Sequence, residues 1–192
     1  MRTITIKNAR LIPDNATCVF RGEIFDVYQW PQEMFDGTTA TFEMLKRPDT
    51  VTVFAVKDNK LVILKQRQPN TGEFYGITGG RMDDGETELD AAKRECLEET
   101  GMRFKNWKLI HVQQPVGKME WFIYAFLATD LIDEVPQHLD NGEKISIELM
   151  TIDEVKNIID DLDVNTRLDL PRELFDHIET IDDLINCPEY ST

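Results

Sequence analysis

The sequence predicts a mixed α/β domain that follows a small, β-rich N-terminal arm. Two apolar runs flank the turn-forming pair Asp58-Asn59, an acidic helical segment comes after them, and further strand-like runs follow that segment. The chain has 192 residues, of which 41% are hydrophobic and 30% are charged. This length and composition are typical of one globular domain with a modest appendage.

The predicted arm covers residues 1–48. Residues Val19 to Trp30 alternate well enough to predict a single half-buried strand. Asp36-Gly37 is a tight-turn pair, and an alternating run follows it, so Ile24 to Leu45 are expected to form a hairpin.

The predicted main domain covers residues 49–192. Its expected strands are Thr50 to Val56, Lys60 to Gln66, Trp107 to Val112, Trp121 to Ala128 and Ile145 to Met150. Thr151 and Glu154 have the spacing of a helix capping box. A final helix is expected from about Pro171 through Leu184.

Charge and cysteine content exclude several classes of protein. A formal net charge of -15 disfavours binding to nucleic acid or to an anionic membrane, both of which need clustered lysines and arginines. The three cysteines are widely spaced, which disfavours a disulfide framework and favours a cytoplasmic location. No apolar run has the length of a signal peptide or of a membrane span.

The acidic segment has the pattern of a capped helix from Glu88 to Thr100. Thr87 is a suitable N-cap residue, and Gly101 is a suitable C-terminal stop. Glu95, Glu98 and Glu99 are spaced i, i+3 and i+4, so their carboxylates lie on one face of this helix. Like charges placed so closely need a counter-ion, and hard oxygen ligands favour Mg²⁺, with Mn²⁺ as the alternative.

The same segment resembles the motif of the Nudix hydrolases. The matching positions are Gly80, Glu86, Arg94-Glu95, Glu98-Glu99 and Gly101, while Cys96 and Met102 stand where bulky aliphatic residues are usual. The resemblance implies a Nudix-type α/β/α sandwich with a mixed sheet, and metal-dependent hydrolysis of a pyrophosphate bond.

The resemblance also implies roles for individual residues. Glu95 and Glu99 would be the principal metal ligands, with the Gly79 carbonyl as a further ligand and Glu98 as an added ligand or a partner of the attacking water. Glu86 and Arg94 would brace the loop and helix, together with Gly80 and Gly101. Arg94, Glu98 and Glu143 form the expected catalytic set.

Resemblance outside the motif points to the ADP-ribose pyrophosphatase branch. It rests on an arm that reads Phe20-Arg21-Gly22, Asp26-Val27-Tyr28, Phe35-Asp36-Gly37, Phe42-Glu43 and Lys46-Arg47. In that branch the arm helps to form a homodimer, and the substrate lies between the arm and the catalytic domain. Trp30 would then stack on the base, or else pack inside the hairpin. Arg47 and Arg67 would approach the nucleotide or its phosphates, with a surface or dimer salt bridge as the alternative for Arg47.

The general base is expected on the loop before the last strand, where Glu143 is favoured over Asp140 and an ordinary exposed turn is the alternative. Two features depart from the branch. Gly76-Ile77-Thr78-Gly79-Gly80 lacks the glutamate that often leads into the motif, and Pro115 lies closer to the motif than the proline associated with ADP-ribose specificity.

The sequence therefore predicts an enzyme that converts a nucleoside diphosphate sugar, ADP-ribose above all, into AMP and ribose 5-phosphate. Two alternatives stay open. One is a Nudix enzyme for another nucleotide, and the other is a module that senses a nucleotide sugar without cleaving it.

Overall fold

Two sheets organise the chain. The structure is a computed structural model, and it describes residues 4, 6–69, 71–161, 163–164, 166–167 and 175–191. The strands are β1 (Thr17–Arg21), β2 (Asp26–Glu33), β3 (Thr39–Lys46), β4 (Thr50–Lys57), β5 (Lys60–Gln68), β6 (Gly72–Gly76), β7 (Thr78–Arg81), β8 (Met102–Gln113), β9 (Met119–Glu120), β10 (Ile123–Glu134), β11 (Lys144–Met150) and β12 (Thr166–Arg167). The helices are α1 (Glu88–Thr100), α2 (Ile152–Asp160) and α3 (Ile181–Asn186).

The larger sheet is mixed, as the sequence predicts. Its main path runs β12-β6-β5-β4-β10-β8, with β11 paired to β5 and β7 paired to β4. Strand β4 is parallel to β10 and antiparallel to both β5 and β7. Asp58 and Asn59 both have positive φ, of 51° and 57°, which is the conformation of a two-residue hairpin turn.

Helices cover both faces of this sheet. Ala91, Ala92 and Cys96 of α1 are buried in one core cluster with Val51 and Val53 of β4. The opposite face carries a second cluster, which includes Phe54, Ile63, Val155, Ile181 and Leu184. Because apolar side chains alternate along β4 between these two clusters, the sheet is the middle layer of an α/β/α sandwich. This confirms the predicted fold class.

The arm forms the second sheet, in the order β1-β2-β3-β9. Strand β9 comes from the main domain and pairs in parallel with β3, where Leu45 lies opposite Met119. The hairpin from β2 to β3 is confirmed, and Gly37 at its turn has a φ of 81°. The single strand expected from Val19 to Trp30 is wrong, because a turn in which the Gly22 N–H donates to the Phe25 carbonyl separates β1 from β2.

Other differences reflect sequence signals that are weak. β7 was not predicted, because the glycine-rich run from Gly76 to Gly80 has low strand propensity. The expected final helix is interrupted: its beginning at Pro171 lies outside the described residues, residues 176–180 are not helical, and α3 begins at Ile181. Within the described residues, no helix is long and apolar enough to span a membrane. The arm boundary at residues 48 and 49 stays a prediction.

Candidate active site

The glutamate-bearing helix has the bounds that its capping residues predict. The Thr87 side chain accepts a hydrogen bond from the backbone N–H of Asp90 at 3.1 Å. At the other end, Gly101 has a φ of 72°, and its N–H donates to the Leu97 carbonyl at 2.8 Å. A Cβ at Gly101 would lie 1.9 Å from the Val135 carbonyl oxygen, so only glycine fits here.

Strand β7 forms a tightly packed wall against this helix. An ideal Cβ on Gly80 would lie 2.4 to 2.6 Å from the carboxyl atoms of Glu95. Gly79 has a φ of 155°, and its N–H donates to Glu99 Oε2 at 2.9 Å. Gly80 therefore admits the carboxylate of Glu95 to the backbone of β7, whereas a Cβ on Gly79 would lie 2.2 Å from the Val51 carbonyl oxygen of β4.

Arg94 braces the loop, the strand and the helix. Its Nε and Nη2 form a two-pronged contact with Glu86 at 2.9 and 3.0 Å, and Nη2 also donates to the Arg81 carbonyl at 3.0 Å. Its Nη1 donates to Glu95 Oε1 at 2.8 Å and to Glu98 Oε2 at 3.1 Å. The hydrogen bonds from Arg94 hold the pKa of Glu86 below its usual range. Arg94 is thus the counter-ion for three glutamates at once.

Glu99 is the most deeply buried of the motif carboxylates on the predicted acidic face. Its side chain has no arginine partner among the described residues, and only 6% of the residue is exposed. Burial raises the pKa of Glu99 to about 8, and the negative charges of Glu95, Glu143 and Glu98 act in the same direction. Burial likewise raises the pKa of Glu95. A buried anion in such surroundings is costly unless a cation joins it.

The loop before β11 brings another carboxylate to this helix. The Glu143 N–H donates to the Asp140 carbonyl at 3.0 Å, and the side chain is half-buried. Burial raises the pKa of Glu143, and the charges of Asp140 and Glu98 add to the effect. Because Glu143 in turn influences both Glu95 and Glu99, its carboxyl group belongs to the same electrostatic cluster.

A segment that sequence reasoning missed fixes the carboxyl end of α1. The Val135 N–H donates to the Gly101 carbonyl at 2.8 Å, and the His138 N–H donates to the Glu98 carbonyl at 2.9 Å. The Gln137 amide donates to the Glu99 carbonyl. These bonds satisfy carbonyls that a helix end leaves without partners. No local sequence pattern predicts these hydrogen bonds, because the segment lies almost 40 residues along the chain from the carbonyls that it caps.

The chemistry of the donor set fits a hard divalent cation. Glu95, Glu98 and Glu99 supply carboxylate oxygens at one end of a helix, and two of them are buried without enough positive charge to balance them. Within the described part of the chain, however, no three acidic, histidine or cysteine side chains are already gathered into a metal-binding group. Part of the reason that the glutamates are not gathered around one point is that Arg94 holds oxygens of Glu95 and Glu98.

The expected substrate residues lie apart from one another. Trp30 is buried in the arm, where its indole N–H donates to Gln32 at 3.2 Å and its ring centroid lies 5.1 Å from that of Phe42. Arg67 is exposed on β5 and lies opposite Lys144 of β11, the residue that follows Glu143. Arg47 lies at the end of β3, with its guanidinium 4.5 Å from the ring centroid of Trp121. The chain as it stands does not bring these three side chains together.

Comparison with known proteins assigns the family. The NUDIX domain model matches residues 46–168, which is more than half of the chain. The chain belongs to the Nudix family. The Nudix motif predicted from the sequence is therefore confirmed, and the chain is a Nudix pyrophosphohydrolase. Cys96, inside the motif, is fully buried, and burial raises the pKa of its thiol to about 11, as befits a core residue.

Two curated relatives and one solved structure illustrate the range of similarity. An ADP-ribose pyrophosphatase of Bacillus subtilis is 29% identical over 150 residues, covering 76% of this chain and 81% of the relative. A methanol dehydrogenase activator of Bacillus methanolicus is 28% identical over 146 residues, covering 73% and 78%. The crystal structure of an ADP compounds hydrolase superposes with a TM-score of 0.65 at 21% identity, covering 82% of this Nudix chain and 88% of the other.

Proposed function

We propose that this Nudix enzyme hydrolyses the pyrophosphate bond of a nucleoside diphosphate sugar, ADP-ribose above all, to give AMP and ribose 5-phosphate. The observation that carries the proposal is the set of buried, under-neutralised glutamates on α1, packed against the glycines of β7. The similarity to an ADP-ribose pyrophosphatase over 76% of the chain supports the choice of substrate.

The proposed cation site uses the carboxylates of Glu95, Glu98 and Glu99, with the Gly79 carbonyl as a further ligand and Mg²⁺ preferred over Mn²⁺. A cation bound there would polarise a phosphoryl group and lower the pKa of a bound water. Arg94 Nη1 holds Oε1 of Glu95 and Oε2 of Glu98, so the second oxygen of each carboxylate is the one proposed to face the cation, while the contact of Arg94 with Glu86 holds the loop in place. Arg94 thus positions the ligands, and Glu86 positions Arg94.

Glu143 is the proposed general base. Its carboxyl group interacts with the α1 glutamates, and burial raises its pKa towards the range where a carboxylate accepts a proton effectively. Asp140, whose carbonyl accepts from the Glu143 N–H, shapes the turn that presents this base. Arg67 of β5 lies opposite Lys144, the first residue of β11 and the residue after Glu143. We propose that Arg67 contacts the substrate phosphates.

The arm is proposed to mediate a homodimer and to complete the substrate site with Trp30 and Arg47. Large apolar side chains are exposed along it, and Phe35 at the tip of the hairpin is fully exposed. Among the described residues of the arm, the exposed large apolar side chains are Leu11, Val19, Phe20, Ile24, Phe25, Met34, Phe35 and Phe42. Such a surface is typical of an interface between chains. A cytoplasmic location is proposed on the grounds that all three cysteines are free.

A substrate panel tests the proposal. Purified protein with Mg²⁺ is given ADP-ribose, other nucleotide sugars and nucleoside triphosphates, and the products are identified by chromatography. We expect AMP and ribose 5-phosphate from ADP-ribose at the highest kcat/KM. Faster turnover of triphosphates would overturn the substrate assignment, and a wild-type rate no higher than that of Glu99→Gln would leave the protein as a sensor.

A further inference from the structure

The segment from Val135 to His138 crosses the carboxyl end of α1 and leads into the loop before β11. The Val135 N–H donates to the Gly101 carbonyl at 2.8 Å, and the His138 N–H donates to the Glu98 carbonyl at 2.9 Å. A Cβ on Gly101 would lie 1.9 Å from the Val135 carbonyl oxygen. Because Gly101 has no side chain, the segment can pack directly against the end of the helix.

Gln137 supplies a donor that the backbone of this segment lacks. Pro136 has no N–H group, and its ring favours an extended backbone at Val135. The carbonyl of Glu99 accepts from the half-buried side-chain amide of Gln137. A carbonyl in the last turn of a helix has no partner within the helix, so this contact satisfies a group that α1 leaves open. Gln137 thus joins the segment to the backbone of a residue that the active site uses.

The loop that follows is held at both of its ends. The His138 N–H fixes one end on α1, and Lys144, the first residue of β11, fixes the other by pairing with β5. Residues 139–143 connect these two points. Release of the segment from α1 would lengthen the unsupported stretch to residues 135–143, and a longer loop has more conformations available to it. The contacts with α1 therefore restrict where the loop can place its side chains.

Glu143 lies at the end of this loop, next to the glutamates of α1. Its side chain is half-buried, and its negative charge acts on both Glu95 and Glu99. A general base needs its carboxylate within hydrogen-bond reach of the water that it activates, and a misplacement of about 1 Å can cost about 100-fold in rate. Support of the loop on α1 is therefore a condition for the role proposed for Glu143.

We propose that Gln137 is a positioning residue, which anchors the Glu143 loop on the Glu99 carbonyl and thereby holds the base at a fixed distance from the metal ligands. One helical turn then carries ligands on its side chains and the support of the loop on its carbonyls, so both parts of the site share one rigid element. The role of Glu143 as base rests on the proposed function, whereas the anchoring of the loop does not.

Hydrogen exchange followed by mass spectrometry tests the anchor without catalysis. The full-length protein is compared in EDTA with Gln137→Leu, which keeps a side chain of similar size and removes the amide donor. Exchange in a peptide that covers residues 138–143 should become about fivefold faster, since one net hydrogen bond is lost. Gln137→Lys, which restores a donor beside the helix carbonyls, should recover part of the protection. Unchanged exchange in Gln137→Leu would overturn the proposal.

Gln114→Leu is the matched control for this measurement. Gln114 is also a half-buried glutamine whose side-chain amide donates to backbone carbonyls, those of Arg10 and Met119. Its loss should leave exchange in residues 138–143 unchanged, and circular dichroism establishes that both variants are folded. If Gln114→Leu accelerates exchange there as much as Gln137→Leu does, the effect is a general loss of stability and the proposal is wrong.

A double-mutant cycle tests whether the anchor acts through the base. Gln137→Leu alone should lower kcat for ADP-ribose about tenfold and leave KM unchanged. In the Glu143→Gln background it should cause little further loss, because the base that it positions is already absent. The Mg²⁺ concentration that gives half of the maximal thermal shift should stay the same, since the Gly79 N–H still holds the Glu99 carboxylate. Equal losses of kcat in both backgrounds, or weaker Mg²⁺ binding, would show that Gln137 supports Glu99 instead and would overturn the proposal.

Failure of the anchor and failure of the proposed function give different results. Inactivity of the wild type on ADP-ribose would remove the proposed function and with it the role of Glu143 as base. The exchange measurement would still decide whether Gln137 anchors the loop, because it needs neither substrate nor metal. An active wild type whose loop exchange does not respond to Gln137→Leu would keep the proposed function and overturn the anchor alone.

Discussion

Helices α1 and α2 begin alike, but only α1 buries carboxylates beside its apolar side chains. Each has a threonine N-cap that accepts from the backbone N–H three residues on, Thr87 in α1 and Thr151 in α2. Beyond the cap, α2 buries Ile152 and Val155, whereas the buried set of α1 includes Glu99.

The difference in buried side chains distinguishes a helix that stabilises the fold from a helix that serves function. Burying apolar surface on α2 stabilises the fold, while burying carboxylates on α1 opposes folding unless charge is supplied from elsewhere. A helix that retains such an arrangement is a strong candidate for an active site. Changes on α1 should therefore affect activity and stability differently from changes on α2.

Glu99→Gln should have the largest effect, and in opposite directions for activity and stability. We expect hydrolysis to fall at least ~100-fold, because several kcal/mol of metal-assisted stabilisation would be lost. In EDTA near neutral pH the same variant should be more stable than the wild type, since folding of the wild type has to protonate Glu99, whose pKa rises to about 8, whereas glutamine is neutral in both states and its oxygen still accepts from Gly79. Steady-state kinetics and thermal melts measure the two effects. Greater stability of the wild type in EDTA would show that α1 is an ordinary structural helix.

Divalent cations should reverse that order. Adding Mg²⁺ should raise the melting temperature of the wild type by mass action and leave Glu99→Gln nearly unchanged. Differential scanning fluorimetry across a Mg²⁺ titration provides the measurement. Glu148→Gln, an exchange of an acidic residue on β11, is the control and should shift like the wild type. Equal shifts in all three proteins would contradict a site on α1.

Arg94→Lys should destabilise the protein by about 2 kcal/mol, because a lysine cannot reproduce the two-pronged contact with Glu86 while also reaching Glu95 and Glu98. Urea unfolding measures the change. Arg103→Lys is the matched control, since Arg103 forms a single exposed ion pair with Asp133 and should lose little. If both variants lose the same small amount of stability, Arg94 does not hold the loop, the strand and the helix together.

Loss of an N-cap should distinguish the two helices by a smaller effect on activity. Thr87→Ala and Thr151→Ala should each cost about 1 kcal/mol of stability, because each removes one N-cap acceptor. Only Thr87→Ala should also lower kcat, since Thr87 follows Glu86 in the motif and begins the helix that carries the glutamates. Chemical denaturation and kinetics on the same preparations give both values. A comparable loss of kcat in Thr151→Ala would remove the functional distinction between the two helices.

The smallest effect concerns pH. Hydrogen bonds from the Thr151 backbone and hydroxyl lower the pKa of Glu154 below its ordinary value of 4.5. The stability contributed by ionised Glu154 is therefore present above pH 4.5 and is lost as the pH falls through the folded-state pKa. The difference between wild type and Glu154→Gln should shrink on acidification, as followed by urea unfolding from pH 6 to about pH 3. A difference that stays constant across this pH range would contradict the capping box between Thr151 and Glu154.

Much of the catalytic segment could be predicted because its interactions are local. The bounds of α1 follow from Thr87 and Gly101, and the shared face of Glu95, Glu98 and Glu99 follows from helical periodicity. The turn at Asp58-Asn59 and the hairpin turn at Gly37 also depend on adjacent residues alone. Strand β7 was missed because its glycines have low propensity for the strand; Gly80 leaves room for the Glu95 carboxylate, and Gly79 leaves room for the backbone of β4.

By itself, the sequence determined the helix that carries the glutamates through local spacing, the fold class through the order of its strand-like and helical runs, and the reaction class through its resemblance to the Nudix motif. Only the tertiary structure decided that Arg94 neutralises part of that helix, that the segment from Val135 to His138 caps its end, and that the guanidinium of Arg47 stacks on Trp121. Each of these contacts joins residues that chain folding brings together, and neither propensity nor periodicity specifies such a meeting.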